Sequence, residues 1–139
     1  MTDAPTTDAV TILMCPPHHY DVDYVINPWM EGNIHRSSRD LAEEQWNKLH
    51  HVLKEYATVE LVTPEKGWPD MVFTANAGLV LGDQVVLSRF IHPERLGEEP
   101  YFQKWIEEKG CTVHELAMGG LWLSFGVRCS SVFSRVARC

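Results

Sequence analysis

The chain has 139 residues, 45% of them hydrophobic, and its 19 acidic and 12 basic residues give a formal net charge of −7. This length and composition are typical of one globular domain with an adequate core. The negative charge, without any stretch rich in Lys and Arg, argues against nucleic-acid binding. No apolar run approaches the roughly 20 residues that a membrane span needs, so we expect no membrane insertion.

The N-terminal sequence MTDAPTTDAV lacks the basic and apolar regions of a signal peptide, which predicts a cytoplasmic protein. The four cysteines show neither a CxxC motif nor the spacing of a zinc site, so we expect free thiols. The seven histidines form no zinc signature either. We therefore predict no metal site and assign structural or surface roles to the histidines.

The first half of the chain predicts a strand, a loop and a helix. An apolar run at 10–15 is typical of a strand covered on both faces. The loop of 18–36 is long and rich in aromatic residues, and we expect it to be ordered. Serines at 37–38 can cap a helix that extends to about Tyr56, with an apolar stripe that we expect to pack on the domain. Residues 1–9 are polar and are expected to be disordered.

The second half predicts further alternation. A strand is predicted at 58–62, and Gly82-Asp83 between two apolar runs is a strong hairpin signal. A second helix is predicted at 97–109 and another strand at 111–116. This order of strands and helices predicts a repeating α/β plan.

The segment 67–81, GWPDMVFTANAGLVL, combines polar groups with apolar runs. Residues 71–73 read as a short buried strand, which carries Asn76 deep into the protein. A side-chain amide at that depth needs hydrogen-bond partners from the protein or from a ligand. Alternatively, Asp70 and Asn76 are turn residues that bond their own backbone.

Three longer segments resemble one enzyme superfamily. They are MCPPHHYDVDYVINPWMEGNIHRSSRD at 14–40, GWPDMVFTANAGLVLGDQVVLSRF at 67–90 and HPERLGEEPYFQKW at 92–105. These strings are similar to the N-terminal part of the guanidino-group-modifying superfamily of arginine deiminases, dimethylargininases and amidinotransferases. The resemblance is strongest to the arginine dihydrolase branch, which converts arginine to ornithine, carbon dioxide and ammonia.

The resemblance implies an α/β fold: a partial pentein, in which ββαβ modules form an α/β propeller. Residues 10–116 would hold the N-terminal modules of this domain, roughly two and a half of the five, and we expect so partial a propeller to be marginally stable on its own. Full-length relatives are expected to be homo-oligomers that need no cofactor.

The resemblance also implies substrate-binding residues. Asp70 in the PDxVF-like stretch lies near the pocket, and Asn76 holds the guanidinium where deiminases and dimethylargininases have a carboxylate. Asn27 in INPWM resembles a second amide that faces the substrate. Arg95 in HPER and Arg128 in LWLSFGVRCS match arginines that hold the α-carboxylate, a role suited to a bidentate guanidinium.

The asparagine at 76 has a chemical rationale. A carboxylate only accepts hydrogen bonds and suits a cationic guanidinium, whereas an amide both donates and accepts. Asn76 and Asn27 are therefore expected to hold arginine and the ureido intermediate comparably well, which would permit a second hydrolysis.

The chain departs from the family after 116. Its last 24 residues contain no Asp or Glu, and Ala117-Met118-Gly119-Gly120 stands where the family has FEGAGDAL. A deletion of about a dozen residues, judged from typical element lengths, and a frame slip are the two explanations. We expect 117–139 to be an atypical tail.

The superfamily uses a Cys thiolate as nucleophile and a His as general acid/base. Cys111, Cys139 and His114 do not stand in a sequence context that matches the family's catalytic residues, so we predict no catalytic residue. We expect the chain to be part of an arginine-hydrolysing enzyme and to be inactive alone. The alternatives are deiminase, dimethylargininase or amidinotransferase activity, a non-catalytic arginine-binding module, and a non-functional product of a damaged gene.

Overall fold

The computed structural model of the chain describes residues 10–115, which form two sheets and three helices. The expectations for 1–9 and 117–139 fall outside the described residues. The first sheet is a parallel pair and the second has the strand order β3-β4-β5. The elements are β1 (Thr11–Met14), α1 (Arg39–Tyr56), β2 (Thr58–Leu61), β3 (Gly78–Leu81), β4 (Gln84–Leu87), α2 (Pro93–Leu96), α3 (Glu99–Glu108) and β5 (Thr112–Glu115).

Helix α1 lies in the crossover between β1 and β2, because two parallel strands need a long connection. The helix begins where the sequence predicts, since the Ser38 hydroxyl accepts a 3.3 Å hydrogen bond from the N–H of Leu41. It ends at Tyr56, also as predicted. Neither α1 nor another helix among residues 10–115 has the length and apolar character that crossing a membrane requires.

The apolar stripe of α1 does not pack as predicted. None of the helix residues is buried within the described part of the chain. Leu41, Leu49 and Val52 are each about half exposed. Amphipathic spacing predicts which face of a helix is apolar, but the partner surface depends on the rest of the fold.

The segment after Trp68 is not the buried strand predicted at 71–73. It forms two 3₁₀ turns, Pro69–Val72 and Thr74–Asn76. The N–H of Phe73 donates to the Asp70 carbonyl at 3.0 Å, a three-residue spacing typical of this helix type. The prediction was wrong because a short apolar run reads the same in a buried turn as in a buried strand.

Strands β3 and β4 form the hairpin predicted at Gly82-Asp83. Gly82 has a φ of 62°, which glycine adopts at little cost. Strand β5 then pairs in parallel with β4. The helix predicted at 97–109 is α3, and the short helix α2, which the sequence did not predict, precedes it. Gly110, with a φ of 81°, follows α3 as a glycine cap.

One hydrophobic core includes residues next to both sheets and residues of α3. The Thr74 hydroxyl donates to the Leu13 carbonyl at 2.8 Å, so the 3₁₀ stretch is attached to the first sheet. Cys15 is a buried free thiol, whereas Cys111 is disulfide-bonded, so the expectation of free thiols is wrong at Cys111. The buried core residues are Cys15, Val62, Met71, Ala77, Val85, Leu87, Phe102, Ile106 and Cys111.

Candidate functional site

A buried arginine on helix α2 lies at the centre of the candidate site. Arg95 is 7% exposed, and its guanidinium donates to both oxygens of Glu98, from Nε to Oε1 at 3.0 Å and from Nη2 to Oε2 at 2.7 Å. Nη2 also donates to the backbone carbonyl of Asp70 at 3.3 Å. The Phe90 ring lies 4.2 Å from the guanidinium carbon, a cation–π contact. Arg95 is therefore held along one edge and one face.

Asp70 is the second buried charged residue and is 4% exposed. Its Oδ2 accepts a 2.9 Å hydrogen bond from the Tyr24 hydroxyl and lies 3.8 Å from Nε of Arg95. Among residues 10–115 its carboxylate bonds side chains and no backbone N–H. The turn-residue alternative therefore does not describe this carboxylate.

Two carboxyls face one guanidinium in this cluster. Burial raises the pKa of Asp70, and the hydrogen bond from Tyr24 and the charge of Arg95 only partly oppose that shift. Burial also raises the pKa of Glu98, against the hydrogen bonds and charge of Arg95. Burial and the nearby charge of Asp70 raise the pKa of Tyr24, so its hydroxyl remains a donor at neutral pH.

Asn76 ends the second 3₁₀ turn, and it is half-buried rather than deep in the core. Its backbone N–H donates to the Phe73 carbonyl at 3.0 Å. Among residues 10–115 its side-chain amide makes no hydrogen bond, and its polar atoms are not fully enclosed, so they are open to water or to a ligand. The amide is therefore not satisfied by neighbouring main chain, in contrast to the turn reading.

Asn27 is exposed, and its side chain closes a turn. Its Oδ1 accepts hydrogen bonds from the N–H groups of Trp29 at 3.1 Å and Met30 at 3.2 Å. This pattern is the Asx turn, the commonest local role of asparagine. Only the NH₂ group of Asn27 is left to donate to another molecule.

The structure thus brings Asp70 and Arg95 into contact and places Asn76 on the same 3₁₀ stretch as Asp70. Asn27 shares a loop with Tyr24, which contacts Asp70. Arg128 lies outside the described residues.

The sequence reasoning missed Glu98 and Tyr24. Glu98 had a signal, because opposite charges three residues apart at the start of a helical segment can pair, and Arg95 stands three positions before it. Tyr24 had no such signal, since its contact with Asp70 spans 46 residues.

A separate cluster of Asp21, Asp23 and His35 offers ligand atoms that lie within 4.8 Å of one another. Asp21 accepts hydrogen bonds from the Ser37 hydroxyl at 2.5 Å and from the Val22 N–H at 2.7 Å, and it lies 3.0 Å from Nδ1 of His35. These contacts close the loop between its two ends. The cluster is therefore explained by loop structure.

The described cysteine and histidine candidates do not have the environment of a nucleophile or a general base. Burial, followed by the charge of Glu98, raises the pKa of Cys15 to about 12, so the thiol stays protonated at neutral pH. His114 is exposed, and its Nε2 lies 2.6 Å from Oε1 of Gln84. Cys139 lies outside the described residues.

No family model matches the chain, but individual relatives do. The bifunctional arginine dihydrolase/ornithine cyclodeaminase AgrE of Nostoc sp. (strain PCC 7120) is 73% identical over 110 residues, 79% of this chain and 16% of AgrE. ArgZ of Synechocystis sp. (strain PCC 6803), of the same description, is 73% identical over 109 residues, 78% of this chain and 16% of ArgZ. An N(G),N(G)-dimethylarginine dimethylaminohydrolase of Mycobacterium tuberculosis is 40% identical over 98 residues, 70% of this chain and 32% of that protein.

Solved structures match in the same way. A mutant of AgrE in complex with L-arginine has a TM-score of 0.80 and 71% identity over 81% of this chain and 17% of that chain. The substrate-bound N-terminal domain of an ArgZ mutant has a TM-score of 0.76 and 74% identity over 77% of this chain and 40% of that chain. A dimethylarginine dimethylaminohydrolase adduct, with a TM-score of 0.65 at 21% identity, shares the fold.

The chain spans 16% of the length of AgrE and of ArgZ. It has a mixed α/β fold that matches pentein-like structures. On this identity and fold, the chain is similar to an N-terminal portion of the guanidino-group-modifying enzymes, with 73% identity to the arginine dihydrolase/ornithine cyclodeaminases AgrE and ArgZ.

Proposed function

We propose that the chain supplies part of the arginine-binding site of an arginine dihydrolase, which converts arginine to ornithine, ammonia and carbon dioxide through a covalent Cys-amidino intermediate. In this site Asn27 and Asn76 face the guanidinium, Asp70 lies beside the pocket, and Arg95 and Arg128 hold the α-carboxylate. The 73% identity to two arginine dihydrolases and the arginine bound in a solved AgrE structure support this substrate.

The observation that carries the proposal is the amide of Asn76, which lies on a half-buried residue, makes no hydrogen bond among residues 10–115 and is open to a ligand. A partly desolvated amide is best satisfied by a ligand that both donates and accepts hydrogen bonds. Asp70, on the same 3₁₀ stretch, adds a negative charge that attracts a cation.

For the fold, we propose a partial pentein of about two and a half ββαβ modules within 10–116. The order β3, β4, α3, β5 supports this proposal because it is one complete ββαβ unit. The elements β1, α1 and β2 provide most of a second unit. Residues 117–139 are then the atypical continuation of the next module.

A second candidate is an arginine-binding module without catalysis. It is favoured by the environment of Cys15, whose raised pKa makes it a poor nucleophile. Deiminase and dimethylargininase activities are disfavoured by Asn76, since the deiminases and dimethylargininases that this chain resembles have a carboxylate there. Both candidates predict arginine binding by this chain, and the enzyme candidate also predicts release of ammonia by a full-length protein that contains it.

Isothermal titration of the chain with L-arginine tests the proposal. We expect a millimolar or tighter Kd that Asn76→Ala and Arg95→Ala each weaken about tenfold, which corresponds to about 1.4 kcal/mol. Asn47→Ala and Arg39→Ala, on the exposed surface of α1, are matched controls that leave the Kd unchanged. Absence of binding by the folded chain, or equal effects of all four substitutions, contradicts the proposal.

A further inference from the structure

Glu98 is the most completely enclosed charged residue in the described part of the chain, with an exposed fraction of 0%. Removing a carboxylate from water is costly unless it is paired and fully hydrogen-bonded. An apolar residue of similar volume would fill the same space at a lower desolvation cost. A buried acid at this position therefore indicates a role other than filling the core.

The partner of Glu98 shows what that role is. Both of its oxygens accept from Arg95, at 3.0 Å from Nε and at 2.7 Å from Nη2. Nη2 has a second acceptor, the Asp70 carbonyl at 3.3 Å. The Phe90 ring covers one face of the guanidinium at 4.2 Å. Among residues 10–115 the hydrogen bonds of the guanidinium use Nε and Nη2, and Nη1 makes none.

Gly97, which lies between Arg95 and Glu98, allows a close approach to Trp68. A Cβ atom built on Gly97 would lie 1.9 Å from Cζ2 of Trp68, so a larger residue there would displace the indole. Trp68 directly precedes the turn that carries Asp70. Gly97 therefore lets the Asp70 turn lie close against the segment that carries Arg95 and Glu98.

We propose that Glu98 is a positioning residue of the arginine-binding site: it occupies the Nε–Nη2 edge of Arg95 and restricts that arginine to a contact through Nη1 with the carboxylate of the ligand. This inference rests on the proposed function and adds a specificity determinant to it. Arg95 is then a one-nitrogen contact, and not the bidentate clamp on the substrate that the sequence suggested.

Binding of L-arginine compared with agmatine, which is arginine without its α-carboxylate, tests the inference. We expect the native chain to prefer arginine, and Glu98→Gln to weaken arginine binding about tenfold while it leaves agmatine binding within about twofold, because only arginine uses Arg95. Glu108→Gln is the control: Glu108 is an exposed glutamate on α3 that pairs with Lys104 and contacts neither Arg95 nor Phe90 in the described hydrogen bonds and ion pairs. It leaves the arginine-to-agmatine ratio unchanged.

The outcomes separate the two proposals. If the native chain binds neither ligand, the proposed function fails. If the native chain prefers arginine and Glu98→Gln weakens both ligands equally, Glu98 is only structural and the inference fails alone.

A second measurement uses the native chain and is independent of whether the variant folds. In ¹⁵N NMR of the Arg95 side chain, titration with arginine shifts the Nη1 signal and leaves the Nε signal in place. A large shift at Nε means that the ligand displaces Glu98, which overturns the inference.

Discussion

The Tyr24 hydroxyl donates a 2.9 Å hydrogen bond to Oδ2 of Asp70, and this bond joins residues 46 positions apart. It attaches the loop of 18–36, which carries Asn27, to the turn that carries Asp70. Because Asp70 is 4% exposed, water competes little for the bond. Tyr24 thus sets the position of the loop relative to the candidate site.

Replacing Tyr24 with Phe removes this bond and leaves a buried carboxylate with one partner fewer. We expect a loss of about 1–3 kcal/mol in the free energy of unfolding, measured by urea denaturation. The pKa of Asp70 rises further, because the lost bond lowers it in the native chain. Tyr56→Phe is the matched control, since Tyr56 is 79% exposed. Equal stability of the two variants contradicts the prediction.

Replacing Asn76 with Asp removes the only donor of that side chain. We expect the native chain to bind arginine and citrulline comparably, and Asn76→Asp to raise the preference for arginine at least about tenfold, because a carboxylate repels the ureido oxygen. Competitive titration of both ligands measures the ratio. If the variant keeps the native ratio of arginine to citrulline affinity, the Asn76 amide does not contact the guanidinium or ureido group of the ligand. The explanation of the second hydrolysis is then wrong.

The loop closure by Asp21 predicts a loss of stability in acid. Hydrogen bonds from Ser37 and His35 lower the pKa of Asp21 from its ordinary value of 3.8. Because the folded state holds this proton less tightly than the unfolded state, the stabilisation is present above pH 3.8 and is lost as pH falls through the lowered pKa. The free energy of unfolding of the native chain minus that of Asp21→Asn therefore decreases with acidification in this window.

Denaturation curves of both chains between about pH 5 and about pH 2 measure this difference. Ser37→Ala removes the largest cause of the shift, so the same comparison made in a Ser37→Ala background shows a smaller decrease. A difference that stays constant over the range shows that Asp21 is not held as described.

The sequence determined the elements whose signals are local. Ser38 caps α1 and Gly82 permits the hairpin, because each signal depends on neighbours within one or two turns. The segments at 14–40, 67–90 and 92–105 also indicated the superfamily, since a long sequence similarity can be recognised without knowing which residues are in contact.

Only the tertiary structure decided the contacts that join distant segments. It showed that 71–73 is a turn, that Glu98 occupies two nitrogens of Arg95, and that Tyr24 reaches Asp70. These features depend on burial. The same carboxylate or apolar run is stabilising or costly according to the residues that surround it, and the sequence does not show those surroundings. The stripe of α1 illustrates the same limit, since its spacing is helical whether or not a partner covers it.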